Sequence, residues 1–383
     1  MQSMTAKFSY LILLVLIAVF SYFVSSNIET TTIEVDDKNL IDTITISVVG
    51  DLMCHTQQIK DAKLSDGSFD FSHTFEFVKH ILEKADLTIG NLETVLGGAD
   101  KNFSGYPLFN SPDEFALAIK EAGFDLLVTA NNHCLDRGFY GLERTIKILE
   151  SLGIKQSGTY ITEENSEKIL FLEIKNVKIA FLSYTYGTNG IPTPKGKEFC
   201  VSYIDMEKIR KDIQKAKQQN PDKIIVYLHW GNEYQRFPDK SQKQLADFLF
   251  NNGVDIILGS HPHVIQPSEF KLIADSIGNQ KKVFVIYSMG NLISNQRKRF
   301  TDSGVIVHFS LIKNFSTNET FIDTITFTST YVSKSNGRFR IIPVKEALQK
   351  FELNDSLWIN LFISEKKKLQ QVLDDFESHI WMK

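Results

Sequence analysis

Cysteine is scarce in this chain: Cys54, Cys134 and Cys200 are its three copies in 383 residues. So low and odd a count argues against a disulfide framework, and it makes Cys54 and Cys134 two small buried residues in preference to a bridged pair. Surplus positive charge is also lacking. The formal net charge is −4, so no overall basic field would gather nucleic acid. There is no internal repeat, no low-complexity segment and no long proline-rich linker. What remains, with 43% hydrophobic and 23% charged residues, is the composition of a globular protein.

Long apolar runs are absent with one exception. Phe8 to Ile28 carries no charge, and about 20 residues of helix cross a bilayer core. Lys7 lies before the run, while Glu29, Glu34, Asp36 and Asp37 follow it. That asymmetry predicts a single-pass cell-membrane anchor with a cytoplasmic N-terminus and an extracellular body. A cleaved signal peptide is the weaker alternative, because Val24-Ser25-Ser26 is a poor cleavage site and the run exceeds the usual h-region. The polar, acidic residues that follow read as a stalk.

The body repeats one pattern: a short apolar strand, a small residue, then a polar cluster. Ile44 to Val49 leads to Asp51 and His55, and Ala85 to Glu93 delivers Asn91 and Glu93. Phe124 onward leads to Asn131, Asn132, His133 and Asp136. Lys223 to Leu228 ends in His229 and Glu233, and Val254 to Leu258 ends at Gly259 before His261-Pro262-His263. Lys282 to Tyr287 ends before Asn291. Such runs predict buried strands, and the carboxyl ends of strands in α/β sheets are where ligands bind. Pro262 fixes its own φ and restricts His261 before it, which holds both rings on a stiff turn. Between the strands, Pro112 to Ala122 is expected to be a helix capped by Ser111. Gly141 to Leu152, Met206 to Gln219 and Ser241 to Asn252 are further candidate helices. Gly187 to Gly196 is expected to border the site or to serve as a lid.

The residue types suggest the chemistry. Carboxylate, amide oxygen and neutral imidazole together suit Mn, Fe or Zn better than Mg or Ca. Asp51, Glu93, Asn132, His229, His261 and His263 are the candidate ligands for one or two divalent ions. His133 with Asp136 offers an imidazole oriented by a carboxylate, suited to protonating a leaving group. Asn91, Asn131, Glu233 and Asn291 are expected to support the site or to touch substrate.

In this order, VVGDLM, GNLE, TANNHCLDRG, LHWGNEY, GSHPHVIQ and YSMGNLISNQ resemble the calcineurin-type metallophosphoesterases, and more closely the CapA family of poly-γ-glutamate capsule proteins. The resemblance implies a four-layer α/β/β/α sandwich of two mixed sheets over residues 43–345. An N-terminal anchor (1–28) and a polar stalk (29–42) would precede it, and a helical extension (346–383) would follow. It further implies a membrane-anchored extracellular protein that assists synthesis or export of an anionic polymer such as poly-γ-glutamate, with capsule synthase subunits as partners. A metal-dependent hydrolase of envelope or nucleotide phosphoesters and a non-catalytic scaffold are the alternatives. Two departures bear on catalysis. Met53 stands where the superfamily has a ligand histidine, and neutral Asn91 stands where it has a bridging aspartate. His55 and Glu93 are the nearest substitutes.

Beyond Phe300 the pattern turns to β alternation with a hairpin turn at Ser335-Asn336-Gly337. Glu346 to Lys350 and Ser364 to Phe376 are expected to be surface helices, with Lys366-Lys367-Lys368 a solvated face in preference to a polymer site.

Overall fold

A computed structural model describes residues 40–274, 278 and 280–381. The apolar run at 8–28 and most of the expected stalk lie outside them. Among the described residues, no helix is long and apolar enough to cross a membrane.

The strands are β1 (Ile41–Leu52), β2 (Leu87–Leu92), β3 (Leu126–Val128), β4 (Lys155–Ser157), β5 (Leu170–Ile174), β6 (Val177–Thr185) and β7 (Lys223–His229). They continue with β8 (Ile256–Ser260), β9 (Ile265–Ala274), β10 (Gln280–Met289), β11 (Asn291–Ile293), β12 (Ser303–Asn314), β13 (Glu319–Ser333) and β14 (Arg340–Pro343). One sheet has the order β14-β13-β12-β1-β2-β3-β4, with β11 beside β1, and the other has the order β5-β6-β7-β8-β10-β9. Both are mixed. Pairs β1/β2, β2/β3 and β3/β4 are parallel while β12/β13 and β13/β14 are antiparallel. In the second sheet β6, β7, β8 and β10 run parallel between antiparallel edges.

Strand alternation makes the layers. Ile44, Ile46 and Val48 of β1 join Leu126 and Val128 of β3 in one core with Ile225 and Tyr227 of β7 and Ile256 and Leu258 of β8. That core lies between the sheets, because successive strand side chains point to opposite faces. The alternate residues Ile224, Val226 and Leu228 pack instead with Ile209, Ile213, Leu245 and Leu249, which come from helices α1 (Met206–Gln218) and α2 (Lys240–Asn251). On the far side of the first sheet, Val49, Leu52 and Leu127 meet Phe115 and Ile119 of the helix Asp113–Glu121. Helix, sheet, sheet and helix thus form the expected α/β sandwich.

Several local expectations need correction. The helix expected from Pro112 starts at Asp113 with Pro112 as the flanking residue, and the Ser111 hydroxyl bonds Thr94 Oγ1 at 2.7 Å instead of capping it. Strand β8 does not stop before Gly259 but runs through Ser260. A Cβ on Gly259 would lie 2.0 Å from Tyr287 O, so only glycine lets β8 and β10 pair this closely. Helix Ser356–Phe362 carried no clear signal beforehand. Its Trp358 and Phe362 pack with Phe77, Ile342 and Phe351, and Ile380 O accepts from Ser268 N of β9 at 2.6 Å. The C-terminal helices therefore pack against the sandwich. All three cysteines are free and buried. Lys366 and Lys367 are exposed, and Lys368 pairs with Asp302 at 3.1 Å.

Candidate metal centre

Parallel register brings the polar strand ends together. Asp51 pairs with Asn91 on one side and with Asn291 on the other. Across the second sheet His229 pairs with Ser260, and His261 and His263 follow directly. A close approach at Gly50 supports this arrangement. Asp51 N donates to Gly290 O at 3.0 Å, and a Cβ on Gly50 would fall 2.0 Å from that oxygen. Gly50→Ala is therefore expected to cost about 1–3 kcal/mol by overpacking, read as a lower denaturation midpoint with metal affinity reduced alongside it.

Asp51, Asn91, Glu93, Asn131, Asn132, His133, Asp136, His229, His261, His263 and Asn291 are all buried. Glu233 differs from the other expected site residues. It is exposed and lies on the rim, close enough for its charge to reach Glu93.

Glu93 is central. Two groups of ligand atoms, each within 4.8 Å of one another, share its carboxylate: Glu93 with His261 and His263, and Glu93 with Asp51 and His229. Both Glu93 oxygens are buried without a hydrogen-bond partner, as is His261 Nδ1. Buried polar atoms are nearly always satisfied, so an unpartnered carboxylate facing imidazoles fits a cation. The surrounding bonds orient those imidazoles. His263 Nδ1 lies 3.1 Å from Asp51 Oδ2 and 3.0 Å from Asn291 Oδ1. Both are acceptors, so Nδ1 carries the proton and Nε2, 3.8 Å from Glu93 Oε1, keeps its lone pair for an ion. His229 Nε2 is 2.8 Å from Asn132 Oδ1 and 3.7 Å from Glu93 Oε1. Asn91 acts as an organiser: its Nδ2 donates to Asp51 Oδ1 at 2.8 Å, and its Oδ1 accepts from Asn131 at 3.1 Å.

The HxH turn is strained. His261 has φ +96° and His263 has φ +58°, although a residue before proline favours extended backbone. Left-handed backbone at non-glycine residues costs about 1–3 kcal/mol and clusters at functional sites. Here Tyr234 N holds Pro262 O at 2.8 Å, and Asp51 Oδ2 accepts from His261 N at 3.4 Å.

His133 and Asp136 form the expected pair, with Nδ1 2.7 Å from Oδ2. That oxygen also accepts from Phe109 N at 2.6 Å, and the Phe109 ring meets His133 edge-on at 4.6 Å. The other imidazole nitrogen lies 3.5 Å from Asn189 Nδ2, and Asn189 Oδ1 accepts from Asn132 at 3.1 Å. Sequence reasoning gave the loop at 187–196 but not this residue, although the Asn189-Gly190 turn dipeptide was a signal. Tyr186 was also missed. It lies over His261 at 4.4 Å between centroids and walls a cavity of about 420 Å³ with Met206, Trp230 and Leu245. His55 is turned to Gln58 and to Asn295 N, whose hydrogen bond to Nδ1 is 3.1 Å long. It belongs to neither ligand group.

Charge follows from burial. Desolvation, then the nearby Asp51 charge, pushes the Glu93 carboxyl well above its ordinary range. Burial and the neighbouring imidazoles push His229 well down and His261 down to about 3. Burial opposes ionisation of Asp51, but the His263 contact and the Asn91 amide outweigh it and leave its pKa lowered. The histidines bind fewer protons folded than unfolded, so their contribution to metal-free stability is lost as pH falls from 6.5 toward about 3. Glu93 has the opposite sign: its contribution is present below 4.5 and lost as pH rises through its raised pKa. In metal-free Glu93→Gln, denaturation midpoints between pH 4.5 and 6.5 are therefore expected to fall more steeply with acid than in the parent. Equal slopes would contradict the assignment.

Residues 45–296 match the family described as "Bacterial capsule synthesis protein PGA_cap". The chain belongs to this family. It is 30% identical over 285 residues to the "Capsule biosynthesis protein CapA" of Bacillus anthracis, covering 71% of this chain and 64% of that protein. To the "PGA biosynthesis protein CapA" of Bacillus subtilis (strain 168) it is 29% identical over 283 residues, covering 71% and 69%. The chain thus spans just under two thirds of the first of these relatives. Among solved structures, the calcineurin-like phosphoesterase YfkN of Bacillus subtilis has a TM-score of 0.39 at 14% identity, covering 75% of this chain and 91% of that one.

Proposed function

We propose that this PGA_cap chain assists synthesis or export of an anionic capsule polymer of the poly-γ-glutamate type, and does so through a divalent metal at the Glu93-centred site. The carrying observation is the Glu93 carboxylate, buried and unpartnered between His229, His261 and His263. Asp51, Glu93, His229, His261 and His263 would hold one or two ions, with Asn132 completing the shell and Asn291 fixing His263. The mixed oxygen and nitrogen donors favour Mn, Fe or Zn. When bound, the metal would supply Lewis-acid polarisation of a substrate oxygen and a lowered water pKa. The chain's own residues do the rest. Asn91, braced by Asn131, keeps the Asp51 carboxylate oriented, Tyr186 lies over His261, and His133, held by Asp136 at Nδ1, presents Nε2 where a proton could pass to a departing group.

The apolar run at 8–28 supports attachment to the cell membrane with the body outside, where a capsule is assembled beside synthase subunits. A second reading, metal-dependent hydrolysis of phosphoesters, is favoured by the His133–Asp136 pair, which merely holding a polymer does not need. Adding back Mn, Zn or Fe to chelator-treated protein tests the first claim. At about 100-fold excess over the dissociation constant, stabilisation of about 2.7 kcal/mol is expected. No shift in the unfolding midpoint with any of the three would refute it.

A further inference from the structure

Beside the site, Arg236 and the segment Arg297-Lys298-Arg299 carry cations that make no ion pair among the described residues. The segment Arg297-Lys298-Arg299 follows β11 and is exposed. It is tied to the centre through Asn291, whose Nδ2 donates to Gln296 Oε1 at 3.2 Å and to Thr301 O at 2.8 Å while its Oδ1 meets His263. Lys298 Nζ sits 3.6 Å from the centroid of Tyr234, and that ring lies 6.2 Å from His263. The guanidiniums of Arg236 and Arg299 share the Phe300 ring at 3.9 and 4.4 Å. Arg297 is near enough to His55 to add to the lowering that burial begins there.

Among the described residues, no carboxylate oxygen lies within 4.0 Å of any of these four cations. Nearby acids are engaged or farther off: Asp302 pairs with Lys368, Glu365 bonds the Ser333 hydroxyl, and Asp375 is beyond ion-pair distance of Arg236. Arg236 Nε is also buried without a partner. In a chain of net charge −4, Lys298 and Arg299 on aromatic faces beside the exposed Arg297 keep their donors free for a ligand, while Arg236 gives one Nη2 donor to Asp375 O at 3.5 Å. Arginine forks match carboxylates bidentately, and stacking on a ring leaves the fork's edge available.

We propose that Arg236, Arg297, Lys298 and Arg299 form a carboxylate-binding wall that leads a polymer with one carboxylate per repeat into the Glu93-centred site. The inference rests on the capsule-polymer reading and names how that polymer is held.

The test uses the full chain and fluorescent poly-γ-glutamate, with binding followed by anisotropy over a salt series. In Arg297→Gln/Lys298→Gln/Arg299→Gln, at least tenfold weaker binding with a shallower salt dependence is expected, at unchanged metal content. Arg236→Gln is expected to weaken binding by a smaller factor. Lys366→Gln/Lys367→Gln, on the exposed C-terminal helix, is expected to bind as the parent does. Binding within twofold of the parent for the triple variant would overturn the wall. So would equal affinity for polyphosphate of matched charge, since attraction would then be to any polyanion. His261→Ala separates the two claims. If it retains both metal and polymer binding, the metal assignment fails and the wall stands, whereas loss of polymer binding in the triple variant alone supports the wall whatever the metal result.

Discussion

Glu93→Gln is expected to abolish tight metal binding and at the same time to stabilise the metal-free protein. In the parent, folding without an ion buries a carboxylate whose two oxygens have no partner, and its raised pKa records that cost. An unsatisfied buried group costs about 1–3 kcal/mol, more when charged. A neutral amide of the same shape removes the charged part of that penalty, so chemical denaturation near neutral pH should show a gain of about 1 kcal/mol. A structural carboxylate would behave in the opposite way, with the variant less stable and metal content unaffected. The pairing of gained stability with lost affinity marks a site shaped for an ion, because function there is maintained at the expense of the empty fold.

His133→Asn is expected to leave metal content intact and to lower turnover about 10²–10⁴-fold on substrates with poor leaving groups. The imidazole is held by Asp136 at 2.7 Å and packed on Phe109, and it is in neither ligand group. Its role is therefore separable from metal binding. An alkyl phosphate needs its leaving oxygen protonated, whereas a nitrophenyl phosphate does not. Steady-state kinetics on the two esters should show a far larger kcat loss for the alkyl ester. Equal losses would place His133 in positioning alone, and metal loss would place it among the ligands.

Much of this site was legible because strand ends are readable. A β-branched run closed by a small residue announces where a buried strand leaves the sheet, and six such runs carried Asp51, Asn91 with Glu93, Asn131 to His133, His229, His261 with His263, and Asn291 to one edge. Glu93 could be singled out as the carboxylate to replace the bridging aspartate, since Asn91 is neutral. Its lack of any partner could not, because satisfaction is a property of three-dimensional surroundings. Tyr186 and Asn189 escaped because loops are placed by tertiary contacts and not by periodicity. The conformation of His261 escaped for a related reason: local rules for a residue before proline are overridden where Tyr234 and Asp51 grip the turn. Helix Ser356–Phe362 was missed because a single turn or two of apolar and polar residues carries little periodic signal, and its Trp358 gains its place by packing on Phe77 at 4.8 Å.

The most direct measurement is metal content by elemental analysis of protein purified without chelator, compared with His261→Ala and His229→Ala. The expected result is at least one equivalent of Mn, Fe or Zn per chain, falling to a small fraction in both variants while their circular dichroism stays that of the parent. Full metal retention in either variant would contradict the assignment of the Glu93-centred cluster as the metal site.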